Sequence, residues 1–297
     1  MQPAAPALRR CYTLDVLDGT PRDLGEYLGK VRDIRKHWGL PEHKELWFRG
    51  ENGEYAATRL RPKLYRPPGE KALKSVADLL DIEDRSFEDF RRCAAQLCDT
   101  KPEDDWDWYS LMQHHGVPTR ILDWTDGALI ALHFAVWRPR EAGGDSVVFV
   151  LDPYRLLDQL NLLPDYANAK KAWKEYCQRN PTEDPDEWDL AYLPDDEEAR
   201  KDTPLPAVPL LSDTYQISRR IAGQRSRFMI FGTDPSWISD LADRPDSPIK
   251  PIVIEAPAAR LMAHELRDGG ITESVVFPDL DGLGRELKQS WEQRYYE

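Results

Sequence analysis

Residues 113–136 read QHHGVPTRILDWTDGALIALHFAV and hold the densest constellation of candidate functional residues in this 297-residue chain. The stretch predicts three parts in turn: the end of a helix closed by Gly116, a strand over residues 118–124, and a buried helix over residues 128–136. Thr125 is the predicted cap of that helix, which is apolar on nearly every face. A polar strand that runs directly into a buried helix places chemistry-bearing side chains beside the core.

The side chains of the predicted strand alternate between two faces. Asp123 shares a face with Ile121, whereas Arg120 lies on the opposite face with Leu122. Arg120 and Asp123 therefore need not pair along the strand. His114, at the end of the preceding helix, is either a general acid or base or a residue that locks the turn through a hydrogen bond. Asp123 has a similar alternative, which is to hold the turn into the next helix.

The segments on both sides of this stretch give the fold class. Helical patterns dominate the first half, beginning at Thr20, and strand patterns dominate the second half. The other predicted strands are residues 45–49, 146–151, 227–231, 251–255 and 274–277. Helices and strands do not alternate regularly, so we predict an α+β fold with a mixed or mostly antiparallel central sheet flanked by helices, not a doubly wound parallel sheet.

The charge of the chain is unevenly distributed. Its 40 Lys and Arg residues stand against 53 Asp and Glu residues, for a formal net charge of −13. Ten acidic and two basic residues lie between Glu183 and Asp202, so this run alone supplies −8 of that charge. It falls in a proline-rich stretch, residues 179–212, which predicts an irregular insertion that faces water and is called the acidic segment below. The rest is only mildly acidic, which leaves room for a local basic cleft.

Several classes of protein are disfavoured. No apolar run approaches the roughly 20 residues of a membrane span, and residues 1–19 lack the apolar core of a signal peptide. We expect those residues to be an N-terminal extension to a domain over 20–297, in the cytoplasm, where four scattered cysteines stay reduced. A P-loop, a Rossmann glycine fingerprint, an HExxH motif and a nucleophile elbow are all missing from the sequence. No metal is expected.

Arginines supply the candidate anion contacts. Arg49 follows two apolar strand residues and precedes Gly50, a combination that suits a phosphate fork, although an internal ion pair is the alternative. A second group lies in the run RRIAGQRSR over residues 219–227, whose candidate phosphate or nucleic-acid contacts are Arg220, Arg225 and Arg227. A solvated surface, or a salt bridge to the acidic segment, is the alternative for that run.

One late carboxylate lacks an obvious structural role. Asp279 and Asp281 precede an amphipathic helix and are explained as capping residues. Glu273 enters the last predicted strand and has no such explanation. It is therefore the more informative candidate for chemistry.

These segments resemble the FRG domain family, which is named for a Phe-Arg-Gly motif that stands here as Phe48-Arg49-Gly50. The resemblance is also carried by residues 60–66, 113–125, 131–135, 220–224 (Arg-Ile-x-x-Gln) and 277–282 (Phe-Pro-Asp-Leu-Asp-Gly). It spans about residues 20–292 and is interrupted by the acidic segment. Arg225-Ser226-Arg227 departs from the family, which usually has Gly shortly after the Gln. The family is common in bacteria and phage, and its name implies no activity.

A second likeness, to ADP-ribosyltransferases, does imply an activity. Those enzymes carry an Arg or His on an early core strand, a polar strand that leads into an apolar helix, and a late Glu. Arg49, residues 119–124 and Glu273 occur in that order. The likeness implies an ADP-ribosyltransferase-like fold and an enzyme that uses NAD to modify a macromolecule, in a bacterial toxin or in anti-phage defence. The implied partners are NAD, a nucleic-acid or protein acceptor, and an antitoxin or other regulator.

The same likeness implies roles for individual residues. Glu273 and His114 would be catalytic, because a carboxylate beside the ribose stabilises the oxocarbenium-like state that forms as nicotinamide leaves. The residues that would bind NAD are Arg49, Thr119, Arg120 and Gln224. Two alternatives remain open: a non-catalytic nucleic-acid or nucleotide-binding module that uses the arginines, and a nuclease that uses His114 with Asp123 or with Asp279 and Asp281.

Overall fold

The computed structural model describes residues 19–53, 58–69, 72–98, 102–137, 144–194, 202–212 and 223–296. The helices are α1 (Leu24–Trp38), α2 (Val76–Ala94), α3 (Asp105–His114), α4 (Ala128–Val136), α5 (Pro153–Asn161), α6 (Pro164–Arg179), α7 (Trp237–Ala242), α8 (Ala256–Asp268), α9 (Glu273–Val276) and α10 (Leu280–Tyr296). The strands are β1 (Trp47–Glu51), β2 (Ile121–Thr125), β3 (Ser146–Leu151), β4 (Leu210–Ser212), β5 (Ser226–Ile230) and β6 (Ile249–Ile254). None of these helices is long and apolar enough to cross a bilayer.

The six strands form one sheet in the order β4-β5-β2-β1-β3-β6, and every neighbouring pair is antiparallel. This confirms the predicted α+β class. β1 pairs with β3 along its whole length, but it pairs with β2 only where Phe48 lies opposite Thr125. The remainder of β1 and β2 separates, so the centre of the sheet contains an opening, which we call the β1–β2 gap.

Helices cover both faces of the sheet. Alternate strand residues such as Phe48 and Val148 pack against α1, α4 and α8, whereas their neighbours Trp47 and Val147 contribute to a second core on the other face. All six residues of β3 are buried, as expected for the continuous apolar run that predicted this strand. The sheet is therefore buried on both faces at its centre, which holds β1 firmly beside the gap.

Helix α1 begins later than the sequence predicted. The Thr20-Pro21 pattern favoured a start at Thr20, but the cap is Asp23, whose side chain accepts a hydrogen bond of 2.8 Å from the Glu26 amide. Asp and Thr both cap helices well, so the local signal could not choose between them. Gly39 ends the helix in the left-handed region, with a φ of 63°.

Five of the six predicted strands are present, with bounds shifted by up to three residues. The strand predicted over residues 274–277 is wrong, because Glu273–Val276 forms the short helix α9. A short apolar run of this kind fits a strand or a helical turn equally well. Glu273 therefore lies at the first turn of a helix and not at the edge of the sheet.

The described part of the acidic segment is more ordered than predicted. It contains a 3₁₀ turn, Trp188–Tyr192, and the edge strand β4. Tyr192 is fully buried, whereas the carboxylates of Asp184, Asp186 and Glu187 are exposed. Apolar residues between the prolines thus return to the core while these charges face water.

Candidate functional site

Two pockets open at the β1–β2 gap, and both include Arg49 and Asp123 among their lining residues. We call the larger one, of about 770 Å³, the basic cleft, and the smaller one, of about 260 Å³, the motif pocket. Ligand pockets commonly measure about 300–1,000 Å³. The basic cleft is therefore large enough for a ligand, and the motif pocket for one group of a ligand.

The motif pocket is assembled from segments that are far apart in the sequence. Its lining residues are Phe48, Arg49, Gly50, Asn52, Asp123, Trp124, Thr125, Phe134, Gln224 and Ser226. The Phe-Arg-Gly motif, the Asp-Trp-Thr end of the longest motif and the Gln of the Arg-Ile-x-x-Gln element thus meet at one place. Convergence of separate sequence motifs on one pocket is the main reason to regard it as functional.

Gly50 allows α4 to lie directly against β1. A Cβ atom at this position would stand 1.9 Å from the Ala131 carbonyl oxygen and 2.7 Å from the Ala135 amide nitrogen. Both contacts are with backbone, which cannot move aside cheaply, so a larger side chain is excluded. The close approach brings Phe134 of α4 to the motif pocket beside Arg49.

Arg49 bridges the β1–β2 gap with its side chain. Its Nη1 donates to the Asp123 carbonyl oxygen at 2.7 Å, and its Nε donates to Glu51 at 2.8 Å. Glu51 is buried and also accepts a hydrogen bond of 3.1 Å from Arg66. The Arg49 side chain keeps 15% of its surface exposed. It is therefore fixed in orientation by the protein and still accessible from the gap.

Gln113 fixes the carboxylate of Asp123 at the same opening. Its amide nitrogen donates to Asp123 Oδ2 at 3.0 Å, while its carbonyl oxygen accepts a hydrogen bond from the Thr119 hydroxyl. Thr119 is fully buried, so it positions Gln113 and does not face a ligand. Asp123 is exposed and is the one carboxylate among the described residues that line either pocket.

Basic and apolar residues together line the larger pocket. Its cations are Arg49, Arg61, Lys63, Arg66 and Lys74. Apolar side chains from three segments form the wall between them: Leu64, Leu73, Leu79, Ile82, Val117 and Ile121. Such a surface suits a ligand that carries phosphate groups and a flat or apolar moiety.

Arg120 is a core residue, which corrects the expectation that it binds NAD or nucleic acid. Its side chain is fully buried and donates from Nε to Glu83 at 2.5 Å. The two terminal nitrogens donate to the carbonyl oxygens of Phe231 at 3.1 Å and Tyr192 at 2.7 Å. Burial opposes its charge, but the adjacent Glu83 carboxylate raises the pKa of Arg120 above its ordinary value. Its hydrogen-bonding groups are used to join β2 to α2 and to the acidic segment.

Glu273 does not meet Arg49 at the gap. It lies in a separate cavity of about 40 Å³ that also includes His133, and it is 2% exposed. Its Oε1 accepts a hydrogen bond of 2.6 Å from Arg285, and its Oε2 lies 3.3 Å from His133 Nε2. Burial lowers the pKa of His133, although Glu273 and Glu286 act in the opposite direction. This placement makes Glu273 a structural carboxylate in the described structure.

His114 also stands apart from the two pockets. It is half-buried at the end of α3, with its ring edge-on to that of His115 at a centroid distance of 5.1 Å. It is not among the residues that line the basic cleft or the motif pocket. Gln113, its neighbour on the helix, is the residue that reaches the gap.

The described arginines of the run, Arg225 just before β5 and Arg227 within it, are engaged with carboxylates. Arg225 pairs with Asp126, and Arg227 pairs with both Asp126 and Glu45 at 2.9 Å. Neither of these carboxylates belongs to the acidic segment. Arg220 lies outside the described residues. The described arginines of the run therefore hold the loop against β2 and the chain before β1.

These observations define an α+β protein whose central antiparallel strands separate around an arginine and a carboxylate, beside a basic cleft. Residues 44–143 match the family model of the FRG domain, which is about a third of the chain and includes β1, β2 and α4. This match confirms the FRG resemblance that the motifs within residues 44–143 carry. No curated protein and no solved structure matches this chain.

The structure places Asp123 at the β1–β2 gap and Glu273 in a separate cavity. The sequence leaves Asp123 open between holding the turn into the next helix and acting with His114 in a nuclease, and alternation places it on a different face from its apolar neighbour Leu122. Glu273 was chosen because it lacked a capping role, but its actual partners, Arg285 and His133, are 12 and 140 residues away. Pairs so distant in sequence leave no local signal.

Proposed function

We propose that this FRG-domain protein binds NAD across the β1–β2 gap and transfers its ADP-ribose to a macromolecule, as an ADP-ribosyltransferase-like enzyme. The observation that carries the proposal is the meeting of Arg49 and Asp123, an accessible guanidinium and an exposed carboxylate, at the junction of the basic cleft and the motif pocket. Opposite charges fixed at the mouth of a cleft are well placed to orient a substrate and to stabilise charge that develops on it.

The basic cleft accounts for binding of the dinucleotide. Arg61, Lys63 and Lys74 supply positive charge for the pyrophosphate, and the apolar wall accepts a base or ribose. Arg49 and Arg66 share the buried Glu51, so they are anchored and contribute hydrogen-bond donors more than net charge. A glycine-rich phosphate loop is unnecessary in such an arrangement.

Asp123 takes the role that the sequence assigned to Glu273. As the bond between nicotinamide and ribose breaks, nicotinamide leaves as a neutral molecule and positive charge develops on the ribose, which a nearby carboxylate stabilises. The acceptor nucleophile then forms a bond to the ribose carbon and loses its proton, for which Asp123 is a candidate base. The acceptor, nucleic acid or protein, and a toxin or anti-phage role belong to the same proposal.

A non-catalytic nucleotide-binding module is the second candidate function. It is favoured by the hydrogen bond that Gln113 donates to Asp123, which uses part of the capacity of that carboxylate. The two candidates share the binding site and differ only in whether Asp123 acts on the substrate.

The experiment measures NAD binding by calorimetry and nicotinamide release by chromatography for the full chain and three variants. Asp123→Asn should reduce release by at least about 100-fold and leave NAD affinity within about threefold, because the carboxylate acts mainly on the transition state. Arg49→Ala should weaken binding by about tenfold or more. The exposed Asp246 provides the control variant Asp246→Asn, which should change neither quantity.

Three outcomes separate the candidates. Release that depends on Asp123 supports the enzyme, whereas tight NAD binding without release supports the binding module. Absence of NAD binding at millimolar concentration would overturn both. With release established, NAD labelled in the ADP-ribose part and added to cell lysate identifies the acceptor as nuclease-sensitive or protease-sensitive.

A further inference from the structure

Two buried hydrogen-bond donors, on residues that line the motif pocket, lack a partner within the described part of the chain. They are the indole nitrogen Nε1 of Trp124 and the amide nitrogen Nε2 of Gln224. Trp124 is only 2% exposed. A buried donor without an acceptor costs about 1–3 kcal/mol, and an indole N–H can only donate. Two such donors at one pocket indicate a ligand that presents an acceptor there.

An aromatic side chain stands in the same pocket. Phe134 is 37% exposed, and its ring lies edge-on to that of Phe277, with the centroids 5.7 Å apart and an interplanar angle of 81°. The contact fixes the orientation of Phe134 and leaves a ring surface for stacking. A flat ligand ring on Phe134 fits the volume of about 260 Å³, which suits one ring and not a dinucleotide.

The backbone that carries Gln224 is held in place by the protein. The Thr125 hydroxyl donates to the Gln224 carbonyl oxygen at 2.7 Å and accepts from the Gly127 amide at 3.0 Å. Gly223, the preceding residue, is packed so closely that a Cβ would lie 3.0 Å from Pro278. The backbone at Gln224 is thus tied to the end of β2 and to the chain that precedes α10, which pre-organises the pocket.

We propose that the motif pocket is a subsite for a single planar ring that bears a carbonyl or ring-nitrogen acceptor. The ring stacks on Phe134, and the acceptor receives hydrogen bonds from Trp124 and Gln224. Nicotinamide and a nucleobase share this chemistry, one as part of the dinucleotide and the other as part of an acceptor. This subsite deepens the proposed function, and it rests on that function to explain why a ring would be bound beside Asp123. Binding of the ring itself requires no turnover.

The test titrates the full chain with nicotinamide and, separately, with each of four ribonucleosides, using ligand-observed NMR. Gln224→Met keeps the length of the side chain and removes the donor, and Trp124→Phe removes the indole N–H. Each should weaken binding of the preferred ring by about tenfold. Phe134→Leu should weaken it similarly through loss of stacking. Asp246→Asn, at an exposed residue that lines neither pocket, is the control and should leave ring binding unchanged.

The outcomes distinguish the sources of the ring. Binding of nicotinamide alone assigns the subsite to the dinucleotide, and binding of one or more nucleosides assigns it to an acceptor base. Binding of no ring at 10 mM (an order-of-magnitude ceiling for a single ring), or equal binding to Gln224→Met and wild type, overturns the proposal. Gln224 is half-buried, so that variant stays informative even if Trp124→Phe fails to fold. Ring binding without nicotinamide release would refute the enzyme and leave the subsite standing.

Discussion

His133 and Phe134 are neighbours on α4, yet they reach two sites of opposite character. Phe134 lines the motif pocket, where Asp123 is exposed and Arg49 is the one cation among the described lining residues. His133 lines the small cavity, where the carboxylate of Glu273 is buried and paired with Arg285. Both regions contain an acid, a base and aromatic rings. They differ in whether solvent and a ligand can reach the acid.

The difference indicates that the environment of a carboxylate, and not its residue type, decides whether a ligand can reach it. A buried acid whose oxygens are both engaged is committed to the fold, because releasing it for a ligand would leave its partners unsatisfied. An exposed acid held by one amide retains an oxygen for chemistry. Asp123 fulfils the second condition and Glu273 the first.

The largest expected effect is a difference in folding stability between variants of the two acids, Glu273 and Asp123. Glu273→Gln should lower the free energy of unfolding by about 2 kcal/mol, because it breaks a pair with Arg285 and alters the buried contact with His133. Asp123→Asn should change it by less than about 0.5 kcal/mol, as is usual at exposed positions. Urea denaturation followed by circular dichroism measures both variants.

A larger loss of stability in Asp123→Asn than in Glu273→Gln would contradict the comparison between the exposed and the buried acid. Glu273→Gln should also leave NAD affinity unchanged once the protein is folded. A Glu273→Gln protein that is fully stable but has lost NAD binding would restore Glu273 to the functional site.

The sequence predicted the α+β class, five strands of the sheet and most helices, because these depend on local patterns. The alternation around Asp123, the apolar run of β3 and the residues before Gly39 each carry their own signal. Sequence analysis failed for Arg120 and Glu273, whose hydrogen-bond partners are distant in the sequence. Glu83 lies 37 residues from Arg120 and His133 lies 140 residues from Glu273. Both candidate site residues are buried and paired with residues distant in the sequence. Only the tertiary fold reveals such pairs.

A second prediction concerns the pH dependence of folding stability, which tests the small cavity that holds His133 and Glu273. The pKa of His133 is lowered in the folded state by burial, with Glu273 and Glu286 opposing this effect. The unfolded chain therefore binds a proton near pH 6.5 that the folded chain refuses, and stability must fall as the pH drops below that value. The slope from one proton cannot exceed about 1.4 kcal/mol per pH unit.

Unfolding free energies between pH 5 and 8 measure this slope (a window set around the ordinary pKa of histidine, about 6.5). His133→Gln, which keeps a polar group beside Glu273, should flatten the curve in the acidic half. His264 is exposed on α8, so His264→Gln is the matched control and should preserve the wild-type slope. An unchanged slope in His133→Gln would mean that another group governs the acid limb.

The smallest effect is expected at the arginines beside the motif pocket, and it tests the nucleic-acid alternative. The Arg225 side chain is 60% exposed and pairs with Asp126, so Arg225→Ala should cost no more than about 0.5 kcal/mol of stability. Because Arg225 and Arg227 already neutralise carboxylates, the variants Arg225→Ala and Arg227→Ala should leave the salt dependence of RNA or DNA affinity unchanged in fluorescence anisotropy. Loss of about one unit from the slope of log affinity against log salt, per arginine removed, would instead show that these side chains contact phosphates. That result would move the anion-binding surface of this protein from the β1–β2 gap to the loop before β5.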